Sequence, residues 1–359
     1  MKKIICALCI LLCGVCVGFL YQFLSESYFF TNLEQAATVE EFIQLINDNI
    51  EQGKEEATFI IENISEEELA NMNQYLDGFY GNVDSFRSTK KNFQGKQKVT
   101  VHFHISDNFY ACHYFESPDK VGKEHERGIT LAKKVDEILG KILTKDMDEY
   151  EKELAIHDYL VKNCEYEFLK GEKERDSYSA YGALIEKKAV CNGYAEAMQL
   201  MLKRAGILSR IVVGNADNVD HAWNIVKVNG EWYQLDATWN DPVPNKENRA
   251  LHTYFNVTDE MLGKNHVWEK ENYPACNSEK ELYYKKNNSY CKSFEEFKIK
   301  VLEQIKTEAP KQMELFVEDY NKKKYDLNFV FETNQVEQVS YQPYGTKEAT
   351  TLLLNFSYY

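Results

Sequence analysis

The stretch AVCNGYAEA at residues 189–197 decides how the whole chain is interpreted. After Cys191, Ala195, Met198 and Leu202 recur at the spacing of a buried helix face. We therefore predict that Cys191 lies at a helix N-terminus, where unpaired N–H groups and the helix dipole favour a thiolate and could stabilise an oxyanion. A cysteine by itself is more often a small buried apolar residue, so the chemistry needs partners elsewhere in the chain.

Two strands further along the chain supply such partners. Asn229-Gly230 joins them, and this dipeptide is typical of a two-residue hairpin turn. In that register His221 lies diagonally from Asp236 on the same face, within reach of a contact between imidazole and carboxylate. Asp236 can then hold the ring and fix its tautomer while the other ring nitrogen meets the thiol of Cys191. A four-residue loop would keep both side chains on one face, whereas a three-residue loop would break the geometry.

Three motifs in chain order resemble those of the transglutaminase-like superfamily. Residues 190–197 carry V-C-x-G-Y-A-x-A, residues 221–224 carry H-A-W-N, and residues 232–239 carry W-Y-x-x-D-x-T-W. The resemblance covers roughly residues 145–270 and points to bacterial extracytoplasmic members related to the cytokinesis and kyphoscoliosis-peptidase branch. It implies a papain-like α+β core, in which a helix carrying the cysteine packs on an antiparallel sheet carrying the histidine and the aspartate.

By this resemblance Cys191 is the nucleophile, His221 is the general base and then the general acid, and Asp236 orients His221. The implied reaction is acyl transfer on a protein or cell-wall peptide through a thioester on Cys191. The acceptor is an amine in crosslinking, or water in peptide or amide hydrolysis. The resemblance implies no cofactor and no metal site. A non-catalytic surface binding or scaffolding protein that keeps the fold is the alternative, because the presence of these residues does not by itself establish activity.

Tyr181, Trp223 and Trp239 are the remaining candidate site residues. Tyr181 could approach the site or pack in the core, and the two tryptophans could wall the substrate cleft or pack beneath it. The Lys-Lys-Ala sequence at residues 187–189 replaces the small, glycine-rich approach that the superfamily often shows before its V-C motif. The sequence identifies no side chain as a second oxyanion donor.

A candidate membrane anchor occupies residues 1–27. Lys2 and Lys3 precede an apolar run from Ile4 to about Leu24, which is long enough to cross a bilayer. The positive flank stays in the cytoplasm, so we expect a single-pass protein whose other domains lie outside the cytoplasm. A cleaved signal peptide, and thus a secreted protein, is the alternative.

Two small α/β modules are predicted beside the catalytic domain. They occupy residues 31–120 and 290–359, and the catalytic domain occupies residues 123–275. The VEEF sequence at residues 39–42 resembles FEEF at residues 294–297, so we infer that the two modules are related. Chance similarity between amphipathic helices is the alternative.

Histidines in the first module suggest a second, weaker hypothesis. Residues 99–105 alternate apolar and polar side chains like a half-buried strand, and residues 110–115 are predicted to form the next strand. Three imidazoles on these strands could bind zinc, although a solvated strand face is preferred; they belong to His102, His104 and His113.

The overall composition limits the class of protein. The 359 residues are 44% hydrophobic, which is enough to bury substantial cores. The net charge of −15 repels phosphate backbones and excludes nucleic acid as a general partner. Cys276 and Cys291 could form a disulfide outside the membrane, but their pairing does not follow from the sequence. The oligomeric state stays open.

Overall fold

The computed structural model divides the chain into two compact units, residues 1–106 and residues 107–359. The predicted anchor at residues 1–27 lies outside the described residues. Among the helices of the described part, none is long and apolar enough to cross a membrane. The described residues are 33–62, 64–65, 82–93, 96–168, 175–241, 249–318, 320–346 and 349–359.

The described residues of the first unit form a four-stranded sheet and one helix. Its strands follow the order β1-β2-β4-β3, in which β1 is parallel to β2 and the other pairs are antiparallel. The helix begins at Thr38, whose side chain accepts the Glu41 N–H, and it buries Phe42 edge-on against Phe59. The elements are β1 (Glu34–Ala36), α1 (Val39–Glu51), β2 (Glu56–Ile61), β3 (Val83–Phe93) and β4 (Lys96–Ile105).

The second unit opens with helices, including one where a strand was expected. The strand predicted at residues 110–115 is wrong, because this segment belongs to a helix. Its aromatic residues favour strands by propensity, but packing overrides them: a Cβ on Gly128 would lie only 2.5 Å from the Cβ of Tyr110. Because Gly128 has no side chain, the helix that contains Tyr110 can pack closely against it. The helices are α2 (Asp107–Glu116), α3 (Glu126–Ile142), α4 (Glu149–Asn163) and α5 (Cys191–Arg204).

An antiparallel five-stranded sheet forms the centre of the second unit. The predicted hairpin register is confirmed, since Val228 pairs with Glu231 across Asn229 and Gly230, whose φ angles are 50° and 87°. The side-chain amide of Asn224 donates to the Ala195 carbonyl at 3.0 Å, which ties α5 to the sheet. In the order β10-β9-β8-β7-β11, the sheet consists of β7 (Leu208–Ala216), β8 (Val219–Val228), β9 (Glu231–Leu235), β10 (Phe255–Val257) and β11 (His266–Val267).

Short elements complete the core around α5. Two dipeptide strands, β5 (Glu165–Tyr166) and β6 (Lys188–Ala189), pair in parallel and place Tyr166 opposite Ala189. Among the described residues, two further helices of one turn are α6 (Asp259–Leu262) and α7 (Tyr283–Lys286).

The C-terminal part of the second unit has the same topology as the first unit. Its strands follow the order β12-β13-β15-β14, with β12 parallel to β13 and the other pairs antiparallel. This strand order is the one that the first unit shows, although a common origin of the two modules stays a prediction. The elements are β12 (Tyr290–Cys291), α8 (Phe294–Thr307), β13 (Gln312–Glu318), β14 (Val336–Gly345) and β15 (Ala349–Tyr358).

A buried ionic contact joins this C-terminal module to the segment before β10 and to α4. Glu314 accepts hydrogen bonds from the backbone N–H and the Nδ1 of His252, both at 2.8 Å. The other ring nitrogen of His252 donates to Asp158 at 2.9 Å. Burial opposes the charged ring, but the charges of Glu314 and Asp158 outweigh it and raise the pKa of His252 to about 9. The module is therefore part of the second unit and not a tethered appendage.

The close approach of α5 to the preceding segment depends on Gly193. A Cβ at this position would lie 2.8 Å from the Cβ of Ala189 and 2.9 Å from the carbonyl oxygens of Ser177 and Ser179. These neighbours are backbone atoms or a short side chain, so they cannot move without displacing the helix start.

We predict that Gly193→Ala lowers the free energy of unfolding by about 2 kcal/mol, because the added methyl group overpacks this contact. Gly140→Ala is the matched control, since Gly140 lies in α3 with no atom within 4 Å of an added Cβ. It should raise the free energy of unfolding by up to about 1 kcal/mol through helix propensity. Urea unfolding measures both, and equal changes would show that the contact at Gly193 is unimportant.

Candidate active site

Cys191 is the first residue of α5, as the sequence predicts. No side chain caps this helix start, because the preceding residue is Val190. The half-buried thiol forms hydrogen bonds with the His221 side chain and with the backbone of Ala222. A thiol and an imidazole thus meet at the positive end of a helix dipole.

The charges of this pair favour a thiolate. Burial raises the pKa of the Cys191 thiol, but the hydrogen bond and positive charge of His221 outweigh burial, so the pKa lies below its usual value. Burial also disfavours the charged ring of His221, yet the charge and hydrogen bond of Asp236 raise its pKa to about 10. The two shifts together stabilise a thiolate beside an imidazolium.

Asp236 holds the histidine from a fully buried position. Its Oδ2 accepts a hydrogen bond from Nε2 of His221 at 2.7 Å, which leaves Nδ1 for Cys191. Its Oδ1 accepts the backbone N–H of Trp239 at 3.0 Å. Strand β9 ends at Leu235, so Asp236 reaches the histidine from the start of a turn and not from within the ladder that the sequence predicts.

A second imidazole, which the sequence analysis missed, shares the same carboxylate. Nε2 of His266 lies 3.1 Å from Oδ2 of Asp236, and its Nδ1 lies 2.8 Å from Oδ1 of Asn265. Both His266 and Asp236 are fully shielded from solvent on their side chains. His266 lies on a two-residue strand outside all three motifs, so no local pattern could have identified it.

The three aromatic candidates take different positions. Trp223 is buried beneath the site, with its ring 5.8 Å from that of His221, and it donates to Gln234 at 2.7 Å. Trp239 is only half-buried, with its ring 5.9 Å from that of His221, so it can wall a cleft. Tyr181 lies under the guanidinium of Arg127 at 3.7 Å and packs against the helical core, the second of its two predicted roles.

Tyr166 is a further residue that the sequence analysis missed. Tyr166 pairs with Ala189, which lies two residues before Cys191 in the chain. The charge of Cys191 acts on the half-buried phenol of Tyr166. Burial, followed by the negative charges of Cys191 and Asp236, raises its pKa. The phenol therefore stays protonated at neutral pH.

Among the residues that the structure describes, two groups of side chains have the residue types of metal ligands. One comprises His221, Asp236 and His266, and the other comprises His157, Asp158 and His252. Both groups are already joined by hydrogen bonds, and Lys162 also donates to Asp158 at 2.7 Å. His157 is fully buried and bonds to Asn240.

The strand arrangement behind the zinc hypothesis is wrong, and the possible disulfide is contradicted as well. His102 and His104 lie on β4, but His113 lies in helix α2 and bonds to the Phe109 carbonyl, so the three are not on neighbouring strands. The thiols of Cys276 and Cys291 are both buried and unpaired, so the possible disulfide between them does not form.

Comparisons with known proteins identify the domain. Residues 136–237 match the model of the transglutaminase-like superfamily, and this range contains the cysteine, the histidine and the aspartate. The human kyphoscoliosis peptidase is 25% identical over 183 residues, which cover 46% of this chain and 28% of that protein. The mouse kyphoscoliosis peptidase is 24% identical with the same coverage. A crystal structure of a TGase aligns with a TM-score of 0.29 and 15% identity, over 60% of this chain and 61% of the other.

The chain therefore contains a transglutaminase-like domain. It spans less than a third of the length of the two kyphoscoliosis peptidases, since it covers 28% of each.

We predict that iodoacetamide alkylates Cys191 at pH 7 about tenfold faster than Cys112 of the same chain. The pKa of Cys191 is lowered by His221, whereas burial raises that of Cys112, so their thiolate fractions differ. His221→Ala should slow Cys191 to the rate of an ordinary thiol. His113→Ala is the matched control, because the ring of His113 bonds to the Phe109 carbonyl of its own helix α2. Mass spectrometry of the two cysteine peptides measures both rates, and unchanged labelling in His221→Ala would contradict the ion pair.

Proposed function

We propose that the transglutaminase-like domain catalyses acyl transfer on peptide or protein substrates through a thioester on Cys191. The observation that carries the proposal is the hydrogen-bonded series of Cys191, His221 and Asp236 at an uncapped helix start. The superfamily match covers all three residues, and the two relatives are named as peptidases.

In the first step, the Cys191 thiolate attacks the carbonyl carbon of an amide, and the carbonyl oxygen becomes an oxyanion. The uncapped N–H groups at the start of α5 are the donors that would stabilise it. When the carbon–nitrogen bond breaks, the His221 imidazolium gives its proton to the leaving amine. The products are a free amine and a thioester on Cys191.

In the second step, His221 acts as a base and takes a proton from the acceptor. Water as acceptor gives a carboxylic acid and completes hydrolysis, whereas a primary amine gives a new amide and completes a crosslink. Either attack on the thioester expels the Cys191 thiolate and restores the starting pair. The name of the two relatives favours water as the acceptor.

We predict that the protein cleaves members of a peptide library, and that Cys191→Ala abolishes the cleavage. Asp236→Asn should lower the rate by at least about 100-fold, because the amide cannot hold His221 as an imidazolium. Parallel reactions with an added primary amine, analysed by mass spectrometry, separate hydrolysis from transfer by the mass of the products.

The control is Asn215→Ala, which removes an exposed side chain on the neighbouring strand β7. It should leave the rate unchanged. If no peptide is consumed and no acyl adduct forms on Cys191, the non-catalytic binding or scaffolding protein becomes the better explanation of the fold.

We also propose that residues 1–27 anchor the protein in the cell membrane, with the remaining domains outside the cytoplasm. The two lysines before the apolar run support this orientation. Protein or cell-wall peptide in that compartment is then the substrate class.

We predict that a C-terminal tag is digested when intact cells are treated with a protease that cannot cross the membrane. The chain should remain in the membrane fraction and retain residues 1–27, which mass spectrometry of its N-terminus checks. A tag that is protected from the protease would contradict the orientation, and a shortened chain in the medium would favour the secreted alternative.

A further inference from the structure

The carboxylate of Asp236 is shared by two imidazoles, and the proposed reaction uses only one of them. His221 donates to Oδ2 at 2.7 Å, and His266 approaches the same oxygen at 3.1 Å. The backbone N–H of Trp239 occupies Oδ1 at 3.0 Å. Each oxygen of the carboxylate thus has a contact with a group other than His221.

His266 is itself held in a fixed orientation. Strand β11 pairs it with Ala216 of β7, and its Nδ1 meets the side chain of Asn265. Its ring centre lies 4.8 Å from that of Trp239 and 5.1 Å from that of Trp223. Since the ring cannot rotate freely among these neighbours, Nε2 stays directed at the carboxylate.

We propose that His266 is a positioning residue that locks Asp236 by donating a hydrogen bond to it. The inference rests on the proposed function, because it concerns the same cysteine and histidine. When His221 gives up its proton, Asp236 loses its closest positive charge, and the N–H of His266 keeps the buried carboxylate ionised and in place. His221 then recovers its proton at the same position in each cycle.

Simple core packing is the competing explanation of His266. It predicts that any residue of similar volume keeps the site intact, whereas a lock requires an N–H at the position of Nε2. A glutamine side chain can place its amide near that position, but an asparagine side chain is too short to reach Asp236. This pair of polar substitutions therefore separates the two explanations.

The test is the pH dependence of Cys191 alkylation by iodoacetamide in the full chain. The titratable groups that face Asp236 and its partners are Cys191, His221, His266, Tyr166, Tyr254 and, next to Asn265, Asp217. His266→Leu and His266→Asn should move the acidic limb of the rate profile to a pH about one unit higher. At any pH below that limb, alkylation of Cys191 should then be about tenfold slower than in the wild type. His266→Gln should stay within about twofold of the wild type.

Val267→Ala is the control, because it changes an exposed neighbour on the same strand and should leave the profile unchanged. Thermal unfolding checks that each variant is folded. If the Leu variant does not fold, the Asn and Gln variants still distinguish the lock from simple core packing. A profile that is unshifted in His266→Asn, or equally shifted in His266→Gln, would overturn the lock. If wild-type Cys191 reacts like an ordinary thiol, it is the proposed function that fails.

Discussion

A buried carboxylate is the constraint on which the site depends. Asp236 has no exposed surface, and leaving such a charge without partners would cost on the order of several kcal/mol. Burial raises its pKa, but the charge of His221 and the hydrogen bonds of His221 and His266 outweigh burial and hold the pKa well below its usual value. The ionised state therefore exists only where strand β8, the turn after β9 and strand β11 converge. The ion pair of Cys191 and His221 requires the same convergence.

Local sequence patterns predict a large part of this arrangement. The start of α5 follows from helical periodicity after Cys191, and the register of β8 and β9 follows from Asn229-Gly230, whose positive φ angles suit a two-residue turn. Because a hairpin register fixes which side chains share a face, these signals bring His221 close to Asp236 without knowledge of the rest of the fold. The packing of this helix on an antiparallel sheet, in contrast, is what the resemblance to the transglutaminase-like superfamily implies.

Contacts between distant segments explain what the sequence does not predict. His266 enters the site through a two-residue strand, and nothing in its neighbours along the chain indicates that strand. The aromatic residues of α2 favour a strand by propensity, but tertiary packing against Gly128 makes the segment helical. Tyr166 lies near the thiol only because its short strand pairs with Ala189. In each case the deciding partner is at least 18 residues away, beyond the range of any periodicity.

The C-terminal module is connected to the turn that begins at Asp236 through a continuous series of hydrogen-bonded residues: Glu314, His252, Asp158, His157, Asn240 and Asp236. At one end, a charged His252 lies between two carboxylates that come from different parts of the unit. At the other end, the backbone N–H of Asn240 donates to the Asp236 carbonyl at 3.2 Å and closes the turn. If the module were joined to the chain only by a linker, the geometry of this turn would not depend on whether the module is present. Here Glu314 of the module holds His252 at the far end of this series through two hydrogen bonds, so residues 290–359 are part of the framework around the site.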